Sequence, residues 1–287
     1  MSINIDPERY KAGQRQGWNS VATGWQKWWK TSEAAGRNVS RRLIELAEIK
    51  QGYRVLDIAT GIGEPSITAA HQVGKSGHVV ATDISPEMLS IAKNRAISSG
   101  LQDVIEFKEG DTESIDLPTS TFDAALCRFG LMFLPNLGTG LSNIYKSLKE
   151  GSIFAAAVLG SSDKVPFISL AFNTVLKQTN NPPSPTNAPG PFSLSDENFL
   201  EDSFSKSGFK GVSIERLNMI FDFDSAEAYT NFVCETAAPI QIILSNQSQE
   251  KRKEISRAVT ETARNYADKD SGHVSLSNET ICIAGKR

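Results

Sequence analysis

Apolar segments of the sequence are followed by residues that can bind a nucleoside. Gly61 and Gly63 follow the first segment, Asp83 follows the second, and Asp111 follows the third. Glycine lets the backbone approach a ligand closely or adopt positive φ. An acid about 20 residues after such a turn can accept hydrogen bonds from both hydroxyls of a ribose, and a further acid can accept from an exocyclic amine. This order of residues predicts a nucleoside-binding site.

The residues around the second glycine indicate the charge of that ligand. A dinucleotide fingerprint requires a third glycine or an alanine where this chain has Ser66, and Glu64 directly follows Gly63. A carboxylate at this place repels a pyrophosphate and attracts a cation. The sequence therefore favours a nucleoside that carries positive charge, with a nicotinamide-dependent oxidoreductase as the alternative.

Strands and helices alternate through the segment that carries these residues. Residues 53–58 are predicted to form a strand, and Glu64-Pro65 opens a helix with proline at its first position. Later strands are predicted at 78–81, 104–107, 122–127, 153–159, 212–223 and 279–284. This alternation predicts an α/β fold with a doubly wound, mostly parallel sheet. Ligands of such sheets bind beyond the carboxyl ends of the strands.

All four tryptophans lie in the predicted N-terminal helices. Trp18 and Trp25 share one helical face, which predicts a buried stripe. Trp28 and Trp29 project from different faces, which leaves one of them available to contact a ligand.

We expect three parts in one continuous fold. Residues 1–50 form a helical cover, residues 51–160 form the nucleoside-binding core, and residues 161–287 complete the sheet with a helical cap inserted before the last strand. The segment 182–192 is rich in proline and predicts a loop that can act as a mobile lid.

The composition limits the class of protein. The chain has 287 residues, a formal net charge of −3 and 39% hydrophobic residues, which are ordinary values for a globular protein. It shows no basic patch for nucleic acid, no apolar run near the ~20 residues of a membrane span and no signal peptide at its start. Three distant cysteines argue against disulfides and against a cysteine metal site, so we expect a cytoplasmic protein with no metal.

Four motifs in order carry a resemblance to a known family. They read V-L-D-I-A-T-G-I-G-E-P from Val55, A-T-D-I-S-P-E-M-L from Ala81, G-D-T-E-x-I-D-L-P from Gly110 and F-D-A-A-L-C-R-F-G-L-M-F-L-P-N from Phe122. Residues 52–159 thereby resemble the class I S-adenosylmethionine-dependent methyltransferases, and within them the UbiE-type group of ubiquinone and menaquinone biosynthesis. Ala59 stands where the superfamily usually has glycine, and the A-T-G-x-G form is common in the UbiE-like group.

The resemblance implies a Rossmann-like methyltransferase fold with a seven-stranded sheet. It also implies S-adenosylmethionine as methyl donor and S-adenosylhomocysteine as product. Asp83 would take the ribose, Asp111 and Thr112 would meet the adenine, and Ile84 and Met88 would flank that base. The methionine part and the sulfonium would contact Ala59, Thr60, Gly61, Gly63, Glu64, Cys127, Arg128 and Phe129.

Methyl transfer from a sulfonium requires positioning of the acceptor and no covalent enzyme intermediate. Trp29 and Phe129 are candidates for a cation–π contact with the sulfonium. His273 is a candidate base for an acceptor that must lose a proton. Arg128 could bind the donor carboxylate, bind an anionic acceptor or pair with Glu64 or Asp111.

The expected acceptor is a small, apolar or aromatic metabolite that is methylated on oxygen, carbon or nitrogen. Its pocket is expected from the N-terminal tryptophan helix, the loop at 182–192 and the helices between Ser225 and Tyr266, which are rich in apolar side chains. We expect no nucleic-acid partner, and a monomer or homodimer. A protein that binds the donor without transferring the methyl group is a further alternative.

Overall fold

A mixed sheet forms the centre of the chain in a computed structural model that describes residues 6–182 and 188–287. Its strands are β1 Arg54–Ile58, β2 His78–Asp83, β3 Ile105–Glu109, β4 Phe122–Arg128, β5 Leu148–Leu159, β6 Lys210–Phe223 and β7 Val274–Lys286. Their order is β3-β2-β1-β4-β5-β7-β6. Strand β7 runs antiparallel to both of its neighbours, β5 and β6, and the pairs from β3 to β5 are all parallel.

Helices within the described ranges flank the sheet. They are α1 Pro7–Lys27, α2 Trp29–Leu46, α3 Ser66–Val73, α4 Pro86–Ser98, α5 Leu137–Ser147, α6 Pro166–Thr179, α7 Glu197–Lys206, α8 Ala226–Thr236, α9 Ala238–Ser245 and α10 Gln249–Arg264. The first helix packs against α4, α8 and α9, and α2 contacts β5 and β6. None of these helices has both the length and the apolar character that a bilayer crossing requires.

The predicted doubly wound, mostly parallel sheet of seven strands is confirmed, and α8, α9 and α10 precede the last strand as predicted for the helical cap. The last strand begins earlier than predicted, because Val274 already pairs with Phe223 at the end of β6. Asp196 caps α7, since its carboxylate accepts from two amides of the first turn. The division of the chain at residues 50 and 160 stays a prediction.

The tryptophan stripe of α1 is partly buried, whereas the sequence predicted a buried one. Trp18 and Trp25 pack with Met88 and Ile91 of α4 in a small apolar cluster. The ring of Trp18 also meets the ring of Phe133 edge to face, with centroids 5.3 Å apart. These contacts hold α1 beside the helix that follows β2.

Helix α1 also lies at close range to α8. Trp25 Nε1 donates to the carbonyl of Thr236 at 3.1 Å, and Trp28 Nε1 donates to Glu235 Oε2 at 2.7 Å. Gly24 permits this approach, because a β-carbon at Gly24 would lie 1.9 Å from the carbonyl oxygen of Glu235. The two helices therefore need glycine at this position.

We expect Gly24→Ala to lower the free energy of unfolding by about 1–3 kcal/mol, because the added methyl group forces α1 away from α8. Gly13→Ala is the matched control, since a β-carbon at Gly13 in the same helix has no atom within 4 Å. Alanine there should stabilise the helix by up to about 1 kcal/mol. Thermal unfolding of both variants measures the effect, and equal changes in Tm would contradict the close approach.

Candidate active site

A cavity opens beyond the carboxyl ends of β1, β2 and β4. Because these strands are parallel neighbours, the residues that follow them meet at one edge of the sheet. Residues predicted from the sequence that line the cavity are Ala59, Thr60, Gly61, Glu64, Asp83, Ile84, Met88, Asp111, Thr112, Arg128 and Phe129. The fold thus brings all four sequence motifs together.

The turn after β1 has the backbone conformation that its glycines suggested. Gly61 has a φ of 57° and Gly63 a φ of 107°, and Ala59 also has a positive φ of 55°. Gly61 lines the cavity, whereas Gly63 lies behind it. A β-carbon at Gly63 would approach Ala92 of α4 to 3.3 Å and Ile67 of α3 to 3.1 Å. Gly63 therefore serves the packing of the turn on these helices, which differs from the predicted ligand contact.

Asp83 joins the ends of the first two strands. Its Oδ2 accepts from the amide of Gly61 and its Oδ1 accepts from the amide of Ser85, both at 2.8 Å. Burial raises the pKa of the Asp83 carboxyl to about 6, although these amides and that of Ile84 act in the opposite direction. Ser85 caps α4 by accepting from the amide of Met88. Asp83 is therefore free of the capping role and retains acceptor capacity toward the cavity.

A second carboxyl, Asp57, is fully buried below the turn. The hydroxyl of Ser66 donates to Asp57 Oδ2 at 2.5 Å and lies 2.8 Å from Thr60 Oγ1. The serine that departs from the dinucleotide fingerprint thus ties α3 to β1. Sequence reasoning assigned no role to Asp57, and the available signal was an acid within an apolar strand.

Burial raises the pKa of the Asp57 carboxyl to about 7, against the lowering effect of hydrogen bonds from Ser66 and Thr60 and of the nearby charge of Arg128. Burial also raises the pKa of the Cys127 thiol to about 12. Cys127 is fully buried and does not line the cavity, in contrast to its predicted place under the sulfonium.

Arg128 lines the cavity as a partly buried cation. Its Nη1 donates to the hydroxyl of Ser40 at 2.8 Å and to the carbonyl of Gly36 at 3.3 Å, both in α2. Burial lowers the pKa of Arg128, and the charges of Glu64 and Asp57 oppose this effect. No carboxylate of the described residues forms an ion pair with Arg128 within 4.0 Å, so the predicted pairing with an acid of the site is absent there.

Glu64 supplies the opposite charge at the same cavity. Its side chain is 6% exposed, and its Oε2 accepts from the hydroxyl of Thr68 at 2.7 Å. Its Oε1 lies 3.9 Å from Nη2 of Arg95. Glu64 and Arg128 therefore present a negative and a positive group to one enclosed space.

Lys11 of α1 closes the cavity near the end of β3. Its Nζ lies 2.8 Å from Asp111 Oδ2 and 2.8 Å from Glu113 Oε2. Desolvation lowers the pKa of Lys11, but hydrogen bonds to these two acids outweigh it and raise the pKa overall. Arg15, one turn later, pairs with Glu109 at 2.6 Å. Sequence reasoning missed these pairs because their members lie far apart in the chain.

One wall of the cavity is apolar. Trp18 and Trp25, which the sequence predicted as a buried stripe, both line it. Further lining residues that were not predicted are Gln14, Ile58, Ile62, Gly110, Gly130, Phe133, Leu134 and Pro135.

Trp29 and His273 lie away from the cavity, contrary to expectation. The ring of Trp29 lies beneath the guanidinium of Arg95, 4.8 Å from it. His273 precedes β7, which β4 and β5 separate from β1, and its Nε2 lies 3.5 Å from Asp224 Oδ1. His273 cannot act as a base at this cavity, because no part of its turn lines it. Within residues 6–182 and 188–287, no group of three or more acidic, histidine or cysteine side chains is placed to hold a metal ion.

The predicted lid at 182–192 lies partly outside the described residues, at 183–187. The following residues contact the site region, since the amide of Gly190 donates to the carbonyl of Met132 at 2.8 Å. The hydroxyl of Tyr10 donates to the carbonyl of Pro189 at 3.1 Å. The end of this segment therefore lies between α1 and the residues that follow β4.

Comparison with known proteins identifies the core that carries this site. Residues 49–182 match the family model described as a methyltransferase domain. This segment is a class I S-adenosylmethionine-dependent methyltransferase domain. The resemblance seen in the four motifs is thereby confirmed.

One relative is the ubiquinone/menaquinone biosynthesis C-methyltransferase UbiE of Rhodopseudomonas palustris, 35% identical over 121 residues. The match covers 42% of this chain and 47% of the relative, so the chain spans about half the length of the curated relatives it matches.

Solved structures share the fold over most of the chain. The YcgJ protein of Bacillus subtilis has a TM-score of 0.57 at 18% identity, covering 88% of this chain and 98% of that one. A Haemonchus contortus phosphoethanolamine N-methyltransferase, solved with phosphomonomethylethanolamine and S-adenosylhomocysteine, has a TM-score of 0.54 at 18% identity, covering 87% of this chain and 52% of that one. At these identities the similarity shows a shared fold alone.

We expect Asp57→Asn to change how stability depends on pH. The folded carboxyl has a raised pKa of about 7, whereas the unfolded carboxyl ionises near 4. The stability that protonated Asp57 contributes is therefore present at low pH and is lost as pH rises toward about 7. The Tm difference between wild type and Asp57→Asn should fall from pH 5 to pH 7 and then level off. A difference that stays constant over this range would contradict the raised pKa.

Proposed function

We propose that this protein transfers the methyl group of S-adenosylmethionine to a small-molecule acceptor. The observation that carries the proposal is the placement of Asp83, Glu64 and Arg128 around one cavity beyond the strand ends. The Asp83 carboxylate can accept hydrogen bonds from the two hydroxyls of a ribose. Glu64 and Arg128 carry the charges that complement the ammonium and the carboxylate of an amino acid. A pyrophosphate would place negative charge against Glu64.

The adenosine part of the donor fits the end of the cavity at β2 and β3. Each oxygen of Asp83 accepts one hydrogen bond from a backbone amide. The remaining lone pair on each oxygen can accept a hydrogen bond from a ribose hydroxyl. Ile84 and Met88 supply apolar contacts for the base, and Asp111 with Thr112 supplies polar ones. Lys11 pairs with Asp111, so an adenine amine that donates to this carboxylate shares it with Lys11.

The methionine part fits the end at β1 and β4. Glu64 can bind its ammonium group, and Arg128, whose described neighbours supply only a hydroxyl and a carbonyl, can bind its carboxylate. Partial burial of an arginine without a counter-charge is unfavourable, and the donor would supply that charge. The backbone of Ala59, Thr60 and Gly61 lies between these charges.

The proposed reaction is an in-line displacement at the methyl carbon. A lone pair of the acceptor forms the new bond to carbon while the carbon–sulfur bond breaks, and sulfur keeps the electron pair as a neutral thioether. The protein contributes by holding donor and acceptor in line. Phe129 follows β4 with a φ of 62° and lines the cavity where the sulfonium would lie. An aromatic face at this place would stabilise the cation.

The apolar wall supports a small acceptor with apolar or aromatic character. Trp18, Trp25 and Phe133 form much of this wall, and they can contact a planar or aliphatic molecule without supplying charge. The named relatives methylate carbon in quinone biosynthesis or nitrogen of phosphoethanolamine. Because these acceptors differ in size, polarity and reacting atom, neither is carried over to this chain.

Calorimetry with S-adenosylmethionine, S-adenosylhomocysteine and NAD tests the donor. We expect S-adenosylhomocysteine to bind at least about tenfold more tightly than NAD, since Glu64 disfavours a pyrophosphate. Incubation with a labelled-methyl donor and a metabolite extract then tests transfer. Absence of donor binding would refute the proposal, and tighter binding of NAD would indicate an oxidoreductase. Donor binding with no labelled product across the extract would indicate a non-catalytic binding protein.

We expect Glu64→Gln and Arg128→Gln each to weaken S-adenosylhomocysteine binding by about tenfold or more, the effect of losing a charged hydrogen bond. Binding of 5′-methylthioadenosine, which lacks the amino acid part, should change little. Arg216→Gln is the control, because Arg216 is exposed on β6 and pairs with Glu197 of α7. If Arg128→Gln does not fold, Arg128→Lys replaces it, because lysine retains the positive charge. Equal losses for both ligands would contradict the assignment of these two residues to the amino acid part.

A further inference from the structure

Arg95 of α4 lies directly behind the turn that carries the donor site. Its Nη1 donates to the carbonyl of Ile62 at 2.7 Å, and this carbonyl belongs to the turn between Gly61 and Gly63. Its Nη2 lies 3.9 Å from Glu64 Oε1. The side chain is only 15% exposed, so the solvent competes weakly for these contacts.

The same guanidinium contacts the start of α2. Its Nη2 donates to Glu33 Oε2 at 2.7 Å, and its carbon lies 4.8 Å from the ring centroid of Trp29. A planar guanidinium can hold a carbonyl, a carboxylate and an aromatic face at once, whereas a lysine ammonium acts as a point charge. Arg95 therefore joins the donor turn to the N-terminal helices through one rigid group.

Glu64 depends on Arg95 for its electrostatic environment. Arg95 is the only cation within 4.0 Å of the Glu64 carboxylate among the described residues, while Thr68 supplies a neutral hydrogen bond on the other oxygen. The carboxylate is nearly buried, and a buried charge without a partner is strongly unfavourable. Arg95 thus places a positive charge beside Glu64 and helps to hold its carboxylate in position.

We propose that Arg95 is a positioning residue that fixes the donor turn and couples it to the docking of α2. This inference rests on the proposed function, because it assigns the turn a donor. It gives Trp29 a role different from the sulfonium contact expected from the sequence. Trp29 is the surface on which the guanidinium rests, and Glu33 fixes the guanidinium in the plane that reaches Ile62.

The test uses Arg95→Lys in the full chain, with Arg216→Lys as the control. Lysine keeps the charge but can reach only one of the Arg95 partners well at a time. We expect S-adenosylhomocysteine affinity to fall by about tenfold in Arg95→Lys and to stay unchanged in Arg216→Lys. Glu33→Gln should weaken binding less, and the double variant should lose less than the sum of the two losses, since both act through one contact.

Hydrogen exchange of the free proteins supplies a readout that does not depend on any donor. We expect faster exchange in Arg95→Lys at residues 59–66 and at 29–36 together, with α10 unchanged. Unchanged exchange in both segments would overturn the positioning role, whether or not the donor binds. Uniformly faster exchange would also overturn it, since that result indicates general destabilisation. A third outcome combines faster exchange confined to these two segments in Arg95→Lys with a wild-type protein that binds no S-adenosylhomocysteine. That outcome would refute the proposed function and would still support the coupling by Arg95.

Discussion

The hydrogen bond from the Gly61 amide to Asp83 Oδ2 connects the ends of β1 and β2, and the geometry of the site depends on it. The turn after β1 bends back over the sheet with positive φ at Ala59, Gly61 and Gly63. Such a turn leaves amides without partners in regular structure, and buried amides need acceptors. Asp83 supplies one from the neighbouring strand. In return the amides hold a carboxylate in a place where burial alone would favour its neutral form.

The N-terminal helices complete the site, although they lie outside the core that the motifs define. Lys11 binds Asp111, and α1 forms the tryptophan wall. Ser40 and Gly36 of α2 receive hydrogen bonds from Arg128, and Glu33 receives one from Arg95. The N-terminal helices thus supply a counter-charge for Asp111 and hydrogen-bond acceptors for Arg128 and Arg95. Access of a donor to the strand ends depends on how these helices are placed.

Several site residues were predictable because they lie next to the strand that positions them. Asp83 and Arg128 each end a strand of the sheet, and Gly61 lies in the turn after one. A parallel sheet brings such residues to one edge whatever its helices do. Gly63 and Cys127 are equally close to strand ends but turn away from the cavity, because the local backbone direction decides between ligand and core. Periodicity in the sequence does not determine that direction at a turn.

The sequence by itself determined the order of strands and helices, the fold class and the character of the ligand. These follow from short-range patterns of apolar residues, glycine, proline and acid, whose physical effects act within a few residues. The tertiary structure decided which side chains from distant segments meet. Trp29 packs on Arg95 outside the cavity, His273 lies beside a strand remote from β1, and Lys11 reaches the end of β3. Such contacts arise from the packing of α1 and α2 on the core, which joins residues that no local pattern relates.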